Sequence, residues 1–437
     1  MSYRAKAGIA ASAVIVALLG ARPGDASSVV RGIPVECQLD SYRVGVGSAD
    51  GRVAPTTPVS FASTLVIGQW AQKGYHLSHD GKTMLVYTFD GFNIVKGNAP
   101  PASYEIALVY KNVLWGPDNK KFMFWTPEGV TLADVEALGP PNAAPSVKVL
   151  YPYKTRPGHR PFSAAWSPTG NEVYVLEHYE EASGGKTVEG SAMLRVTLDG
   201  AATEILNHPT RVYWFMYPSS RFEDGSGPSG APFRLVFGAM DGIWVMNPDG
   251  SEQAKLCDLT PEGFDDIVFS PDPKKEKFAF RMRQPQVAPD KKTYTGVYVA
   301  HLDRWKKGTT IELEQVHDKP DVHTLWCSPK GRFVTWASAD EVGYRELDGK
   351  PDSTIKVDVP GRVGPITGCT WDRAETRLAI TAGNRLYIHD VAKKTVTEVA
   401  KVGEASKSFL ADPVWCSGEE VVVGLFTDVT PKEPAKK

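Results

Sequence analysis

The chain has 437 residues, a formal net charge of −2, nine histidines and five cysteines. No stretch of Lys or Arg forms the basic stripe that tracks phosphates, so nucleic acid is not an expected partner. The length alone would suggest two or three domains, a prior that fails for repeat proteins, so internal repeats are sought first.

The N-terminus reads as a signal peptide, residues 1–26. Arg4 and Lys6 make a positive leader, and residues 7–20 are apolar but too short for a stable bilayer span. Gly24-Asp25-Ala26 then offers small residues for cleavage after Ala26. An uncleaved anchor is the competing reading of this segment. No later stretch is apolar enough to span a bilayer. The mature chain is therefore expected in the periplasm or outside the cell, without a membrane span. Export permits disulfides. Cys37, Cys257, Cys327, Cys369 and Cys416 are odd in number and widely spaced, with no C-x-x-C, so a zinc or redox cluster is not expected.

From about residue 74 onward one pattern recurs. A strand ends in an aromatic, a Ser-Pro-x-Gly-like turn follows, and three more short strands complete the unit. The clearest copies are Trp166-Ser167-Pro168-Thr169-Gly170, Phe269-Ser270-Pro271-Asp272 and Trp326-Cys327-Ser328-Pro329-Lys330-Gly331. In such a turn Pro presets φ, Ser or Asp bonds back to the backbone, and Gly accepts positive φ. The aromatic is expected to pack between neighbouring sheets. Taking the proline position as anchor, the copies fall at His79, Pro117, Pro168, Pro218, Pro271, Pro329, Arg373 and Gly418, a spacing of about 40 to 60 residues that belongs to propeller blades.

The segments behind the anchors read as strands. Second strands are expected at 83–89, 121–126, 172–179, 233–239, 277–283, 332–338, 377–383 and 420–426, all rich in β-branched and aromatic residues. Almost nothing has a long 3.6-residue period, so helix should be scarce. The eighth anchor stands too close to Lys437 for a full unit, while strand-like 35–47 and 61–70 precede the first. The expected fold is thus all-β: a β-propeller of four-stranded antiparallel blades over 27–430, with 431–437 a disordered tail. Eight blades are favoured, the last closed jointly by N- and C-terminal strands. Seven blades with an extra terminal hairpin is the alternative. A shared terminal blade would also make Cys37 and Cys416 candidates for a disulfide, whereas Cys327 and Cys416 occupy equivalent places in different blades.

Residues 242–257 read GIWVMNPDGSEQAKLC. With the Trp-Ser-Pro turns, this resembles the TolB-like repeat, also called PD40 or WD40-like, over about residues 74–426. The same repeat builds the propeller domains of dipeptidyl-peptidase-type and oligopeptidase-type enzymes. The resemblance implies the fold; it does not imply a function, because one fold hosts many sites. TolB has a sizeable N-terminal α/β domain for which this chain has no room. The peptidases carry a Gly-x-Ser-x-Gly elbow, and the nearest string here, Gly227-Pro228-Ser229-Gly230-Ala231, reads as a flexible turn.

No catalytic set stands out. His76 and His79 lie at a strand-turn boundary, where i and i+3 share no face. His317-Asp318 and Asp321 to His323 bracket a link between blades, and Asp265-Asp266 could face the channel. Each reads more simply as loop or turn polarity. No metal, cofactor or catalytic residue is assigned. Loop length says more. Second-to-third-strand hairpins and blade-to-blade links share one face of a propeller, and two hairpins are enlarged: one with an acidic start at His178-Tyr179-Glu180-Glu181, one basic from Arg281-Met282-Arg283 to Lys291-Lys292-Thr293-Tyr294. The connection 139–161 is expected on the same face, and the insert 221–232 on the opposite one. Long loops on a rigid scaffold are where binding sits. The expected partner-binding residues are Tyr179, Glu180, Arg281, Arg283, Lys291, Tyr294 and His323. The expected function is a non-catalytic, monomeric scaffold that binds a protein, a peptide or a cell-envelope component. The alternative is a propeller enzyme of the metal-assisted lactonase or lyase type, working at the channel mouth.

Overall fold

A computed structural model describes residues 33–45, 53–55, 59–65, 75–78, 82–87, 91–96, 101–183, 186–208, 212–219, 233–260, 264–272, 276–289, 291–350, 353–402, 408–417 and 420–428. Every regular element in them is a β-strand, and among the described residues no helix is long and apolar enough to cross a membrane. The signal-peptide segment, the tail, the insert 221–232 and His79 lie outside the described residues.

Seven four-stranded antiparallel sheets follow one another along the chain, each pairing its strands in sequence order. They span 75–105, 110–152, 159–208, 213–257, 264–317, 324–357 and 366–401, hereafter blades 1 to 7. First strands approach each other between blades 3 and 4, 5 and 6, and 6 and 7, which places them innermost. Hydrophobic clusters fill the junctions between consecutive blades, for example Phe92, Phe122 and Phe124 between blades 1 and 2 and Phe333, Tyr344 and Trp371 between blades 6 and 7. The core is therefore a set of interlayer seams, and strands covered on both faces are buried along their whole length, as at Leu235–Ala239 and Phe333–Ala337.

The favoured count of eight blades is corrected to seven. The terminal strands do not build an eighth four-stranded unit; they form a five-stranded sheet. Strand Ile33–Gly45 pairs along one edge with Glu420–Asp428, and its other edge is long enough to take two short strands, Val53–Pro55 and Val59–Leu65. The first C-terminal strand of this sheet, Ser408–Ser417, packs against blade 7, where Leu410, Trp415, Val421 and Val423 meet Ala379, Leu386 and Ile388.

This register removes the Cys37–Cys416 disulfide. Cys37 lies opposite Asp428, whereas Cys416 stands between the residues paired with Val421 and Glu420. The two are separated by about 24 Å along the sheet at ~3.4 Å per residue, and a disulfide needs Cα atoms within about 7 Å. Cys257, Cys327 and Cys369 are buried, and the Cys327 thiol faces the Val268 carbonyl at 3.9 Å. Burial pushes the Cys257 thiol up to about 11 and the Cys369 thiol up to about 12, so both behave as small apolar groups.

The turns close as their residues dictate. Ser328 Oγ accepts the Phe333 N–H at 2.8 Å, Ser78 Oγ that of Thr83 at 3.0 Å, and Ser219 Oγ that of Arg234 at 2.9 Å. In blade 7 Asp372 does the same work, its Oδ1 accepting from Thr376 at 2.8 Å and Arg377 at 3.1 Å. Gly331 takes φ +71°, and a Cβ there would strike the Ser270 side chain of the preceding blade. The aromatic before the turn reaches back across the seam: Trp166 Nε1 donates to the Leu114 carbonyl at 2.9 Å, and Trp371 Nε1 to Thr335 Oγ1 at 2.6 Å. Blade 4 needs a shifted alignment. Its closing hydroxyl belongs to Ser219, so Ser219 matches Ser167 and the proline anchor at Pro218 sits two residues early.

The connection 139–161 is corrected too. VKVLYP forms the fourth strand of blade 2, Val147–Pro152. The part before it therefore emerges beside the Ser-Pro turns, and only 153–158 emerges with the second-to-third-strand hairpins.

Candidate functional site

The ring has two faces. One carries the Ser-Pro turns and the third-to-fourth-strand turns, the turn face. The other carries the second-to-third-strand hairpins and the links that start each first strand, the hairpin face. The distinctive local feature of the hairpin face is a bulge. Pairing of first and second strands slips between Pro161 and Ser163, Tyr213 and Phe215, Asp265 and Ile267, and Ile366 and Gly368. A bulge leaves a residue unpaired and re-aims its side chain.

In blade 3 the bulged residue is Phe162, in blade 4 it is Trp214, and both stand five residues before the turn serine. Phe162 is 50% exposed and Trp214 40%. His178 ties them together. Its ring stacks on Phe162 with centroids 4.2 Å apart and planes at 16°, and its Nε2 lies 2.6 Å from the Tyr213 carbonyl oxygen. The carbonyl only accepts, so Nε2 is the protonated nitrogen. Burial holds His178 below the ordinary histidine range, which keeps the ring neutral at neutral pH. Ser191 Oγ accepts the Tyr213 N–H at 3.0 Å. Blade 3 thus grips the start of blade 4's first strand at two points and fixes both aromatics.

A buried ionic clamp lies on the other side of the same hairpin. Glu177 is 1% exposed. Tyr151 Oη donates to its Oε1 at 2.7 Å, while Arg156 Nη1 at 3.2 Å and His159 Nδ1 at 3.0 Å face its Oε2. Arg156 Nη2 also pairs with Glu204 at 2.7 Å. Burial, with the Glu177 carboxylate, pushes the Tyr151 phenol well up, so it remains a donor. The carboxylate is spent on tying blade 2 to blade 3, which is how a buried charge is made tolerable.

The residues expected to bind a partner fall in separate places. Tyr179 is buried: its Oη donates to Asn207 Oδ1 at 2.5 Å, its ring stacks on His159 at 4.2 Å, and it lies over Gly190. Glu180, one residue on, is exposed. Arg281 and His323 do meet, at the seam of blades 5 and 6, but there Arg281 Nη1 donates to the Val322 carbonyl, and His323 contacts Thr324 Oγ1 at 2.9 Å and the Ile366 carbonyl at 3.1 Å. Burial lowers the His323 pKa. Lys291 is exposed at the hairpin tip with φ +65°. Tyr294 is half-buried, with Lys292 Nζ 5.0 Å above its ring. Both line a cleft of about 230 Å³ with Cys257, Leu259 and Ile311, between blades 4 and 5. The Arg283, Asp265 and Asp266 side chains lie outside the described residues. His317 is buried against Trp336, with Nδ1 3.8 Å from Glu341. Among the described residues no three His, Cys, Asp or Glu side chains converge where a metal ion could sit.

Sequence reasoning missed Phe162 and Trp214. The signal was an aromatic at the same place in adjacent repeats, and the misplaced anchor at Pro218 hid it.

No protein-family model matches the chain, and no curated protein does either. Among solved structures, the chain is similar to the dihydro-heme d1 dehydrogenase NirN, at 14% identity and a TM-score of 0.46, covering 88% of this chain and 77% of that one. It is similar to YCF48 bound to D1 peptide, at 13% identity and a TM-score of 0.42, covering 76% of this chain and 100% of the other. A eukaryotic initiation factor matches at 11% identity and a TM-score of 0.42, with 83% and 96% covered.

Proposed function

We propose that this protein is a non-catalytic β-propeller scaffold of the exported compartment that holds a protein or peptide partner on its hairpin face. One observation carries the reading. The large apolar side chains that stand exposed among the described residues are Val109, Phe162, Trp214, Met240, Val287 and Val363, and every one lies on the hairpin face. Val109 and Val363 are in links that lead into first strands, Phe162 and Trp214 are in first strands, and Met240 and Val287 are in hairpins. Single exposed apolar residues are ordinary; their segregation onto one face of a ring is what marks a contact surface.

The aromatics are also held in place beforehand. Bulges aim them, and His178 fixes Phe162 by stacking and the base of Trp214 through the Tyr213 carbonyl. Rigid aromatic anchors lose little entropy on binding, and Trp is among the residues that dominate interface energetics. Export rests on the leader at Arg4 and Lys6 with its apolar core.

Selection of a random-peptide phage library on the protein spanning 27–437 tests the binding reading. The unaltered chain should enrich peptides, and a Phe162→Ser/Trp214→Ser variant should lose at least about tenfold of that enrichment at an unchanged melting temperature. Equal enrichment by both would refute it. N-terminal sequencing of the protein recovered from the host's periplasm tests export, with Ser27 expected as the first residue; an intact Met1 in the cytoplasm would refute it.

A further inference from the structure

Blades 3 and 5 differ from the rest in the height of their hairpins. In blade 3 the first strand begins at His159, paired with Tyr179, and the second strand runs on through Ser183. In blade 5 the first strand begins at Phe264, paired with Met282, and the second runs on through Val287. The blade 3 hairpin therefore projects about 14 Å beyond the ring and the blade 5 hairpin about 10 Å, at ~3.4 Å per residue, because blade 5's second strand is bulged between Met282 and Gln286 and the partner strand covers the same height in three residues, Gly296 to Thr293. Blade 4, between them, turns back at once: Ala239, paired with Tyr213, is followed by the Met240-Asp241 turn and Gly242. In blades 1, 2, 6 and 7 the second strand ends within a residue of the first strand's start. Two walls thus stand over blade 4, and on its floor Met240, 56% exposed, and Trp214 flank the Tyr213–Ala239 pair.

Alternation along the strands settles what the walls show to this floor. His178 and its partner Ser191 both reach Tyr213 of blade 4. Two residues further out, Glu180 and Glu189 share that side, stand directly opposite each other, and are exposed. On the far wall Gln286 bonds both ways to Thr260 in the link leaving blade 4, its Oε1 accepting at 3.1 Å and its Nε2 donating at 2.9 Å. Its partner Tyr294 therefore faces blade 4, with Lys292 over its ring and Lys291 at the tip. One wall is acidic and the other basic.

We propose that blade 4 is the floor of a docking groove for an extended segment of a partner protein, one that carries apolar side chains between a basic and an acidic residue. The apolar side chains rest on Trp214 and Met240. The basic residue lies against Glu180 and Glu189, and the acidic one against Lys291 and Lys292. This rests on reading the hairpin face as the partner face. Like charges directly opposite on a sheet repel, and among the described residues neither carboxylate makes an ion pair. A guanidinium between them replaces that repulsion with charge-assisted hydrogen bonds. The walls stand two sheet spacings apart, about 20 Å at ~10 Å each, which an extended chain crosses in about six residues. Walls of opposite sign discriminate against a uniformly charged ligand.

The test is the same phage selection, run on the unaltered chain, on a Glu180→Lys/Glu189→Lys variant and on a Met240→Ser variant. Peptides enriched by the unaltered chain should carry Arg or Lys about six positions from Asp or Glu, with apolar residues between. The double variant should bind those peptides at least tenfold more weakly and enrich sequences with an acidic residue in place of the basic one. Met240→Ser should weaken both sets. Peptides that depend on Phe162 and Trp214 but bind the double variant and the Met240 variant unchanged would overturn the groove and leave the binding face standing. Peptides indifferent to all of these substitutions, or no enrichment at all, would overturn both. Circular dichroism on each variant separates loss of binding from loss of fold.

Discussion

The turn face and the hairpin face are built from the same strands, yet they use their residues in opposite ways. On the turn face the repeats spend their polar groups on their own turns and on the neighbouring blade. Ser78, Ser219, Ser328 and Asp372 accept the N–H that opens the next strand, and Lys330 N–H of blade 6 donates to Glu375 Oε1 of blade 7 at 2.7 Å. On the hairpin face the repeats diverge: bulges aim aromatics outward, two hairpins rise, and apolar surface stays uncovered. The difference teaches that uniformity in this ring marks the parts that hold it together, and departure from the repeat marks the parts free to meet something else.

The sharpest way to break that contrast is to empty a seam at the turn face. Trp371 is 4% exposed, lies parallel to Phe333 at 4.6 Å, meets Tyr344 edge-on at 5.2 Å and donates to Thr335. Trp371→Ala should cost about 3–5 kcal/mol, the range for a buried large aromatic, measured as a fall in unfolding free energy by denaturant titration. A loss below about 1 kcal/mol would mean that the seams do not carry the ring.

Much of this half of the molecule is legible in the sequence. The second strands 121–126 and 377–383 fall almost residue for residue on Lys121–Thr126 and Arg377–Ala382, because apolar runs bounded by turn residues, Gly116-Pro117-Asp118 and Pro127-Glu128-Gly129 for the first, Asp372 and Gly383-Asn384 for the second, leave little choice. The blade count was not legible in the same way, since pairing of Ile33–Gly45 with three partners depends on register between the chain ends. The hairpin face was legible as a face, from loop length, and illegible in its residues. Strand alternation decides whether Tyr179 goes inward and Glu180 outward, and a bulge at Phe162 or Trp214 reverses that alternation where the sequence gives no sign of it.

Acid should weaken the hairpin face more than the turn face. Burial lowers the pKa of His178, His317, His323 and His389. A histidine with a folded value below its unfolded value of about 6.5 binds its proton more readily when unfolded. Its stabilising contribution is therefore complete above about pH 6.5 and is lost as pH falls from there toward the folded value, at no more than ~1.4 kcal/mol per pH unit for each residue. His178, His317 and His323 stand at the hairpin face, and His389 near a turn-face end. Hydrogen exchange at pH 5.5 should show protection lost around the first three before it is lost at Thr395, and equal loss at both faces would contradict the contrast.

A smaller effect compares two copies of one turn. Ser328→Ala removes the acceptor 2.8 Å from the Phe333 N–H at a site with no exposure, and should cost about 1–2 kcal/mol. Ser167→Ala, where the matching distance is 3.4 Å, should cost less. Thermal melts of the two variants side by side give the ordering, and the reverse order would show that hydroxyl geometry does not set turn strength.

The smallest expected stability change says the most about the hairpin face. Trp214→Ala removes a large aromatic, yet the residue stands unpaired in a bulge and 40% exposed. Phe162→Ala likewise removes a ring that is half in solvent, stacked on one face only by His178. If these rings serve the fold, losing them should cost as seam residues do, several kcal/mol. If they serve a partner, each variant should stay within about 0.5 kcal/mol of the unaltered chain, the usual range for surface changes. The two cases are separated by more than the error of a denaturant melt. The second outcome would leave an exposed Trp and Phe at the same place in adjacent blades with no gain to the fold's own stability, which is what residues kept for contact with another molecule should show.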